Sequence, residues 1–212
     1  MAFRNRLTRR VLFTGAATAV AVGASVGVAL AVAITFTISP GGAITAKAGK
    51  TTLTDTNTGS VLTCASSTSS GTLGKGSGIS GASLGTITKL SFTKCTGPLG
   101  LTFTVANSGF PWKLSGTSYN AGTGTTTGFI NGIKSKLSGP GCSATVGGAT
   151  MGSAGKVKVT YKNSTHKLTV LAAGGNLHVW NVSGCAGLIN TGDGTQFTGV
   201  YTVTPSQKIT SP

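Results

Sequence analysis

The sequence contains no glutamate, and Asp55 and Asp193 are its only carboxylate side chains among 212 residues. Arginine also runs out early: Arg4, Arg6, Arg9 and Arg10 are all there is, and thirteen lysines supply the positive charge beyond them. With two carboxylates, the paired-acid chemistry of glycosidases has a single candidate pair. Asp55 and Asp193 each sit in a turn-type sequence, where capping of nearby backbone N–H groups already accounts for them. Without arginine the main body lacks the guanidinium fork that reads phosphates and bases, so no specific nucleic-acid partner is expected. Helical periodicity is missing too: past the amino terminus, no stretch of ten or more residues repeats apolar side chains at the helical period. A chain rich in Gly, Ser, Thr and Val and poor in Glu, Arg and Gln favours short strands joined by turns.

What is present is alternation. In Lys156–Lys162 the residues Val157, Val159 and Tyr161 alternate with Lys156, Lys158 and Lys162. Side chains leave a pleated backbone on opposite faces, so this is the pattern of a half-buried strand. Turns at Asn163-Ser164-Thr165 and Gly174-Gly175 divide the stretch to Val182 into three strands, read as a meander. Further strands are expected at Ile34–Ile38, Ala43–Lys47, Ser60–Ala65, Thr86–Lys94, Leu99–Val105, Lys113–Tyr119, Thr125–Leu137 (broken at Gly132) and Gln196–Thr204. Ser66–Gly85, rich in Ser and Gly, reads as a flexible exposed loop. The fold class expected is all-β: an antiparallel sandwich or barrel of about a dozen short strands. It would follow an N-terminal hydrophobic signal helix and comprise one region or two related halves, 34–120 and 121–212.

Residues 1–10 are basic and Val11–Ile38 carries no charge. Ala31-Val32-Ala33 offers a small-x-small cleavage site, so residues 1–33 read as a secretory signal peptide and 34–212 as the secreted region. An uncleaved signal anchor over 11–38 is the alternative and the only membrane contact expected. Ala46-Lys47-Ala48 is a second cleavage site, and Thr8-Arg9-Arg10-Val11-Leu12-Phe13 resembles a twin-arginine signal. Export gives the four cysteines their meaning. Cys64, Cys95, Cys142 and Cys185 suggest two disulfides, since none lies within metal-hairpin spacing of another and neither histidine adjoins one. Of three connectivities, Cys64–Cys95 with Cys142–Cys185 is favoured. Cys95-Thr-Gly and Cys185-Ala-Gly each lead to an alternating strand with an aromatic residue, and the second pair brackets the meander.

Gly81-Ala82-Ser83-Leu84-Gly85 fits the nucleophile-elbow pattern but lacks the helix that motif requires. Ser83 or another serine with His166 or His178 and Asp193 forms the candidate hydrolytic triad. Against it, His166 follows a turn and His178 shares a strand face with Trp180. No catalytic residue, metal ligand or cofactor is assigned. Trp112, Trp180, Tyr119, Tyr161 and Tyr201 are expected in the core or at barrel ends rather than on a sugar platform. Asn163-Ser-Thr and Asn181-Val-Ser match the glycosylation sequon. The lysines carry a collective meaning: Lys156, Lys158 and Lys162 share a face, as do Lys134 and Lys136. Such a strip binds anionic polymers, or it is simply a solvated face that discourages edge pairing.

Thr37-Ile-Ser-Pro-Gly-Gly, Ser138-Gly-Pro-Gly-Cys142, Tyr161-Lys-Asn-Ser-Thr, Ser183-Gly-Cys-Ala-Gly-Leu and Tyr201-Thr-Val-Thr-Pro resemble a group of secreted actinobacterial proteins with no established activity. The resemblance spans the region after the signal and implies export, an all-β fold and paired cysteines. The composition is also similar to that of enediyne apoproteins, but cysteine spacing and length differ, so ligand binding does not transfer. The expected function is a non-enzymatic extracellular or envelope-associated β-protein. It would bind an anionic cell-wall polymer through Lys134, Lys136, Lys156, Lys158 and Lys162. A secreted serine hydrolase and a small-molecule carrier with an apolar cavity are the alternatives.

Overall fold

A computed structural model describes residues 34–212, and the candidate signal ahead of them lies outside the described residues. Residues 34–212 form fifteen strands. The first five are β1 (Thr35–Ser39), β2 (Gly42–Ala48), β3 (Thr51–Asp55), β4 (Val61–Leu73) and β5 (Gly76–Ser80). Then come β6 (Gly85–Thr96), β7 (Thr102–Ser108), β8 (Trp112–Asn120), β9 (Thr125–Gly139) and β10 (Cys142–Gly147). The last five are β11 (Gly155–Lys162), β12 (Lys167–Val170), β13 (Leu177–Gly184), β14 (Gly194–Thr204) and β15 (Lys208–Thr210). Each Cys-x-Gly echo leads into a single 3-10 turn, at Pro98–Gly100 or beginning at the cysteine itself, Cys185–Gly187.

All the strand pairings are antiparallel, and they close into a barrel. At one end the ring runs β14, β2, β4, β6, β8, β9, β11, β12 and back to β14. At the other it runs β14, β3, β4, β6, β7, β9, β10, β13 and back to β14. Each ring has eight strands, and β4, β6, β9 and β14 belong to both. Closure gives every strand of the two rings a neighbour on each side over at least part of its length.

A three-stranded sheet of β15, β1 and β5 covers the first end. Phe36 and Ile38 beneath it are fully buried. Gln207 fastens the cap: its side-chain oxygen accepts the Gly41 N–H at 2.9 Å, and its carbonyl accepts the Tyr161 hydroxyl at 2.8 Å. The second end carries both disulfides, Cys64–Cys95 and Cys142–Cys185. The first joins neighbouring strands β4 and β6, and the second ties β10 to the turn that follows its neighbour β13; together they are consistent with an oxidising compartment.

Three expectations are corrected. The stretch after Ser66 is not a loop: β4 runs on to Leu73, and Ser67 is buried with its hydroxyl on Tyr201. Serine and threonine alternate there on both faces, so no apolar period marks the strand. The meander stops at its first hairpin: β11 pairs β12, but β12 then pairs β14, and β13 lies between β10 and β14. Barrel closure sets that order, overriding proximity in sequence. Finally, β9 is not broken at Gly132 but bulged. Its backbone there has φ +97°, and buried residues switch from even (Thr126, Gly128, Ile130) to odd (Ile133, Leu137) across it. A bulge adds one residue to one strand and reverses the side-chain parity beyond it.

Candidate functional site

An eight-stranded ring leaves an interior just wide enough for side chains or one small ligand. Here the inward side chains stop short of filling it. A cavity of about 110 Å³ lies inside, lined from both rings by side chains such as Ile44, Leu90, Phe92, Val105, Leu168 and Phe197. All six are only partly buried, although their strands face inward. Phe92 of β6 and Phe197 of β14, which are not neighbours in either ring, meet edge to face across the lumen with centroids 5.7 Å apart. Smaller cavities of about 50 and 40 Å³ lie toward the capped and disulfide ends.

Of the lumen's few polar side chains, Thr51 has a buried hydroxyl without a hydrogen-bond partner among the described residues, while Tyr201, Asn107 and Ser135 are bonded. Ser67 donates to the Tyr201 hydroxyl oxygen at 2.8 Å. Ser135 donates to Asn107 Oδ1 at 2.6 Å, and Asn107 Nδ2 donates to the Leu90 carbonyl at 2.9 Å. No lysine, aspartate or histidine among the described residues lines the space. Its one titratable group is Tyr201, pushed up to about 12 by burial, against the opposing effect of its Ser67 hydrogen bond. The lumen is therefore uncharged near neutrality and holds no proton donor or acceptor suited to acid–base catalysis there. Apolar surface awaiting apolar surface is what this arrangement offers.

The hydrolytic constellation does not come together. Ser83 is exposed in the turn between β5 and β6, and no hydrogen bond among the described residues joins it to a histidine. His178 Nδ1 lies 3.1 Å from the Asn176 carbonyl, and its ring stacks near Trp180. His166 sits in the β11–β12 turn at φ +54°. Asp55 Oδ1 accepts the N–H groups of Asn57 and Thr58, and Asp193 Oδ2 accepts that of Asn190, so both carboxylates cap local turns. No group of potential metal ligands occurs among the described residues. Trp112, Tyr161 and Tyr201 are buried, while Tyr119 and Trp180 are half-buried.

The five lysines singled out by parity follow one line along β9. Lys162, Lys158 and Lys156 of β11 stand opposite Thr125, Phe129 and Asn131, and Lys134 and Lys136 continue β9 itself. The bulge at Gly132 is what turns Lys134 and Lys136 outward beside the others. Lys113 of β8, opposite Asn131 from the other side, joins the strip; its parity in β8 was the available signal. Lys156 Nζ lies 5.1 Å from the centre of the Phe129 ring. Apolar side chains inside and lysines outside are the reverse of a lipid-embedded barrel. The lumen itself escaped residue-level reading, because it depends on side chains that converge from a dozen strands.

No curated protein and no solved structure matches the chain significantly. A family model does, over residues 9–211, nearly the whole sequence. The chain belongs to the alkane oxidation protein activator PraA/PraB-like family.

Proposed function

We propose that the protein is an exported, non-enzymatic carrier that holds a short aliphatic hydrocarbon in its lumen and so assists alkane oxidation. The uncharged, apolar wall of the 110 Å³ cavity carries this reading, and the family's description supplies the ligand class. An apolar cavity of about 150 Å³ is known to stay dry and take benzene, so this one, about a quarter smaller, suits a chain of about five carbons, with six as the upper limit. Burying six methylene-sized units is worth about 5 kcal/mol before costs, which limits the affinity to sub-millimolar. That suits a shuttle rather than a store. The test is n-hexane titrated into protein with ¹³C-labelled Ile, Leu and Val methyls. Shifts at Leu90, Val105 and Leu168, abolished in Ala46→Phe, which fills the lumen, support carriage. No shift at any lumen methyl rejects it.

A second, compatible reading concerns where the carrier sits: on an anionic polymer of the cell envelope, through its lysines. The observation favouring it is that Asp55 and Asp193 are only 2% and 9% exposed, whereas every lysine but the half-buried Lys158 is exposed. Lys162 even stands directly opposite Lys167, and Lys167 and Lys47 flank Thr202 in the same row. Like charges placed opposite each other destabilise a sheet, and a bound polyanion would relieve them. Replacing Lys134, Lys136, Lys156, Lys158 and Lys162 with Gln should abolish salt-sensitive retention on purified envelopes. Failure of the unaltered protein to be retained at low salt would sink the idea.

A further inference from the structure

Both ends of the lumen are filled. The sheet of β1, β5 and β15 covers one, with Phe36, Ile38 and Ile209 buried beneath it. The two disulfides and Phe103 pack the other. The side wall is hydrogen-bonded around each ring, with one long break. On its β4 side, β6 is paired along nearly its whole length. On the opposite side only Gly85–Ile87 pair with β8, and only Cys95 and Thr96 with β7. Thr88–Lys94 thus have no backbone partner there, and Thr104–Ser108 of β7 pair with β9 alone.

Two irregularities bracket the break. The β4–β6 register slips between Ser70↔Lys89 and Gly71↔Ile87, leaving Thr88 as an extra residue. Lys94 adopts φ +49°, a left-handed conformation uncommon outside glycine. Such bulges bend a strand away from its neighbour and end the ladder. Leu90, Phe92 and Val105 along the break are half-buried and line the lumen. What crosses it is one side chain: Asn107 of β7 donates to the Leu90 carbonyl of β6 at 2.9 Å and is steadied by Ser135.

We propose that the break between β6 and β7 is the lumen's entrance for an aliphatic ligand, and that Asn107 is its latch. Parting the strands there costs one side-chain hydrogen bond, and at seven residues it is a longer break than the one beside Gln196–Thr198 of β14, which lies between the β13 and β12 pairings. The inference rests on the carrier reading, and rates separate the two. Exchange of n-hexane is followed by methyl line shapes in unaltered protein, in Asn107→Ala, and in Ser66→Ala, whose hydroxyl meets Thr93 across the β4–β6 seam outside the lumen. Asn107→Ala is expected to speed association and dissociation at least tenfold with less than a threefold change in Kd, and Ser66→Ala to change neither. Unchanged exchange in Asn107→Ala, or equal acceleration in both, overturns the entrance and leaves carriage standing. Hexane that shifts no lumen methyl in unaltered protein overturns both. Should Asn107→Ala not fold, hydrogen exchange of unaltered protein decides. Amides of Lys89–Lys94 that point away from β4 should exchange at least tenfold faster than those of Thr68–Gly71 and slow with hexane. Equal protection overturns the entrance.

Discussion

Asn163 shows how a single side chain can tie the barrel to its cap. Its amide nitrogen donates to the Ile209 carbonyl at 2.8 Å, and its oxygen accepts the Ile209 N–H at 2.9 Å, completing the pattern of a strand partner for β15. Asn163→Ala should therefore cost about 2 kcal/mol, read as a lower midpoint in urea, because two hydrogen bonds go and Ile209 is buried. The same geometry argues against a glycan at this sequon, since the nitrogen it would occupy is already engaged. Tyr201 gives a pH signature. Its folded pKa of about 12 lies above the ordinary 10, so the protonated hydroxyl is favoured by folding. That contribution is complete below pH 10 and is lost as pH rises from 10 through about 12; at about 1.4 kcal/mol per unit it amounts to roughly 3 kcal/mol. Tyr201→Phe is expected to flatten the fall in unfolding free energy over that window. At pH 8 it should be about 1 kcal/mol less stable, because Ser67 loses its acceptor.

Among the elements, β9 matters most, because its bulge decides which face its lysines occupy. A Cβ at Gly132 would find Trp112 at an ordinary 3.5 Å, so space is not what demands glycine there; φ +97° is. Gly132→Val should cost about 1–3 kcal/mol through backbone strain. If the bulge then shifts, Lys134 and Lys136 lose their outward position, and envelope retention should weaken with stability; thermal melting and retention measured on the same sample check both. Elements with apolar alternation were legible beforehand: β11 is unmistakable in Lys156–Lys162, and the disulfide pairing could be read from the Cys-x-Gly echo. The outer half of β4 was not, because Ser67 and Ser69 face inward with side chains no more apolar than the outward Thr68. Nor was the neighbour of β12, since which strands meet across a closure depends on the whole ring. The lysine line could be half read, parity being local, but its passage across Gly132 needed the observed bulge. The lumen was legible only as a class of hypothesis: parity says which side chains point inward, not how far the opposite wall stands.

For the whole molecule, the two disulfides close loops spanning 31 and 43 residues. On the chain-entropy account each is worth up to about 4 kcal/mol. Replacing Cys64 and Cys95 together with Ala should lower the unfolding free energy by at most that amount. The single transition should persist, because β4, β6, β9 and β14 run through both rings and neither ring can come apart without the other; circular dichroism melts that separate into two steps would contradict this. The burial of both carboxylates has a further consequence. Among residues 34–212 no carboxylate side chain is open to another copy, while every lysine but the half-buried Lys158 is exposed, so copies meeting through these residues repel by charge at moderate ionic strength. Such a protein behaves as a polycation that carries none of its own counterions. Its copies are then expected to stay apart in dilute buffer and to be brought together by an added polyanion, which light scattering would register.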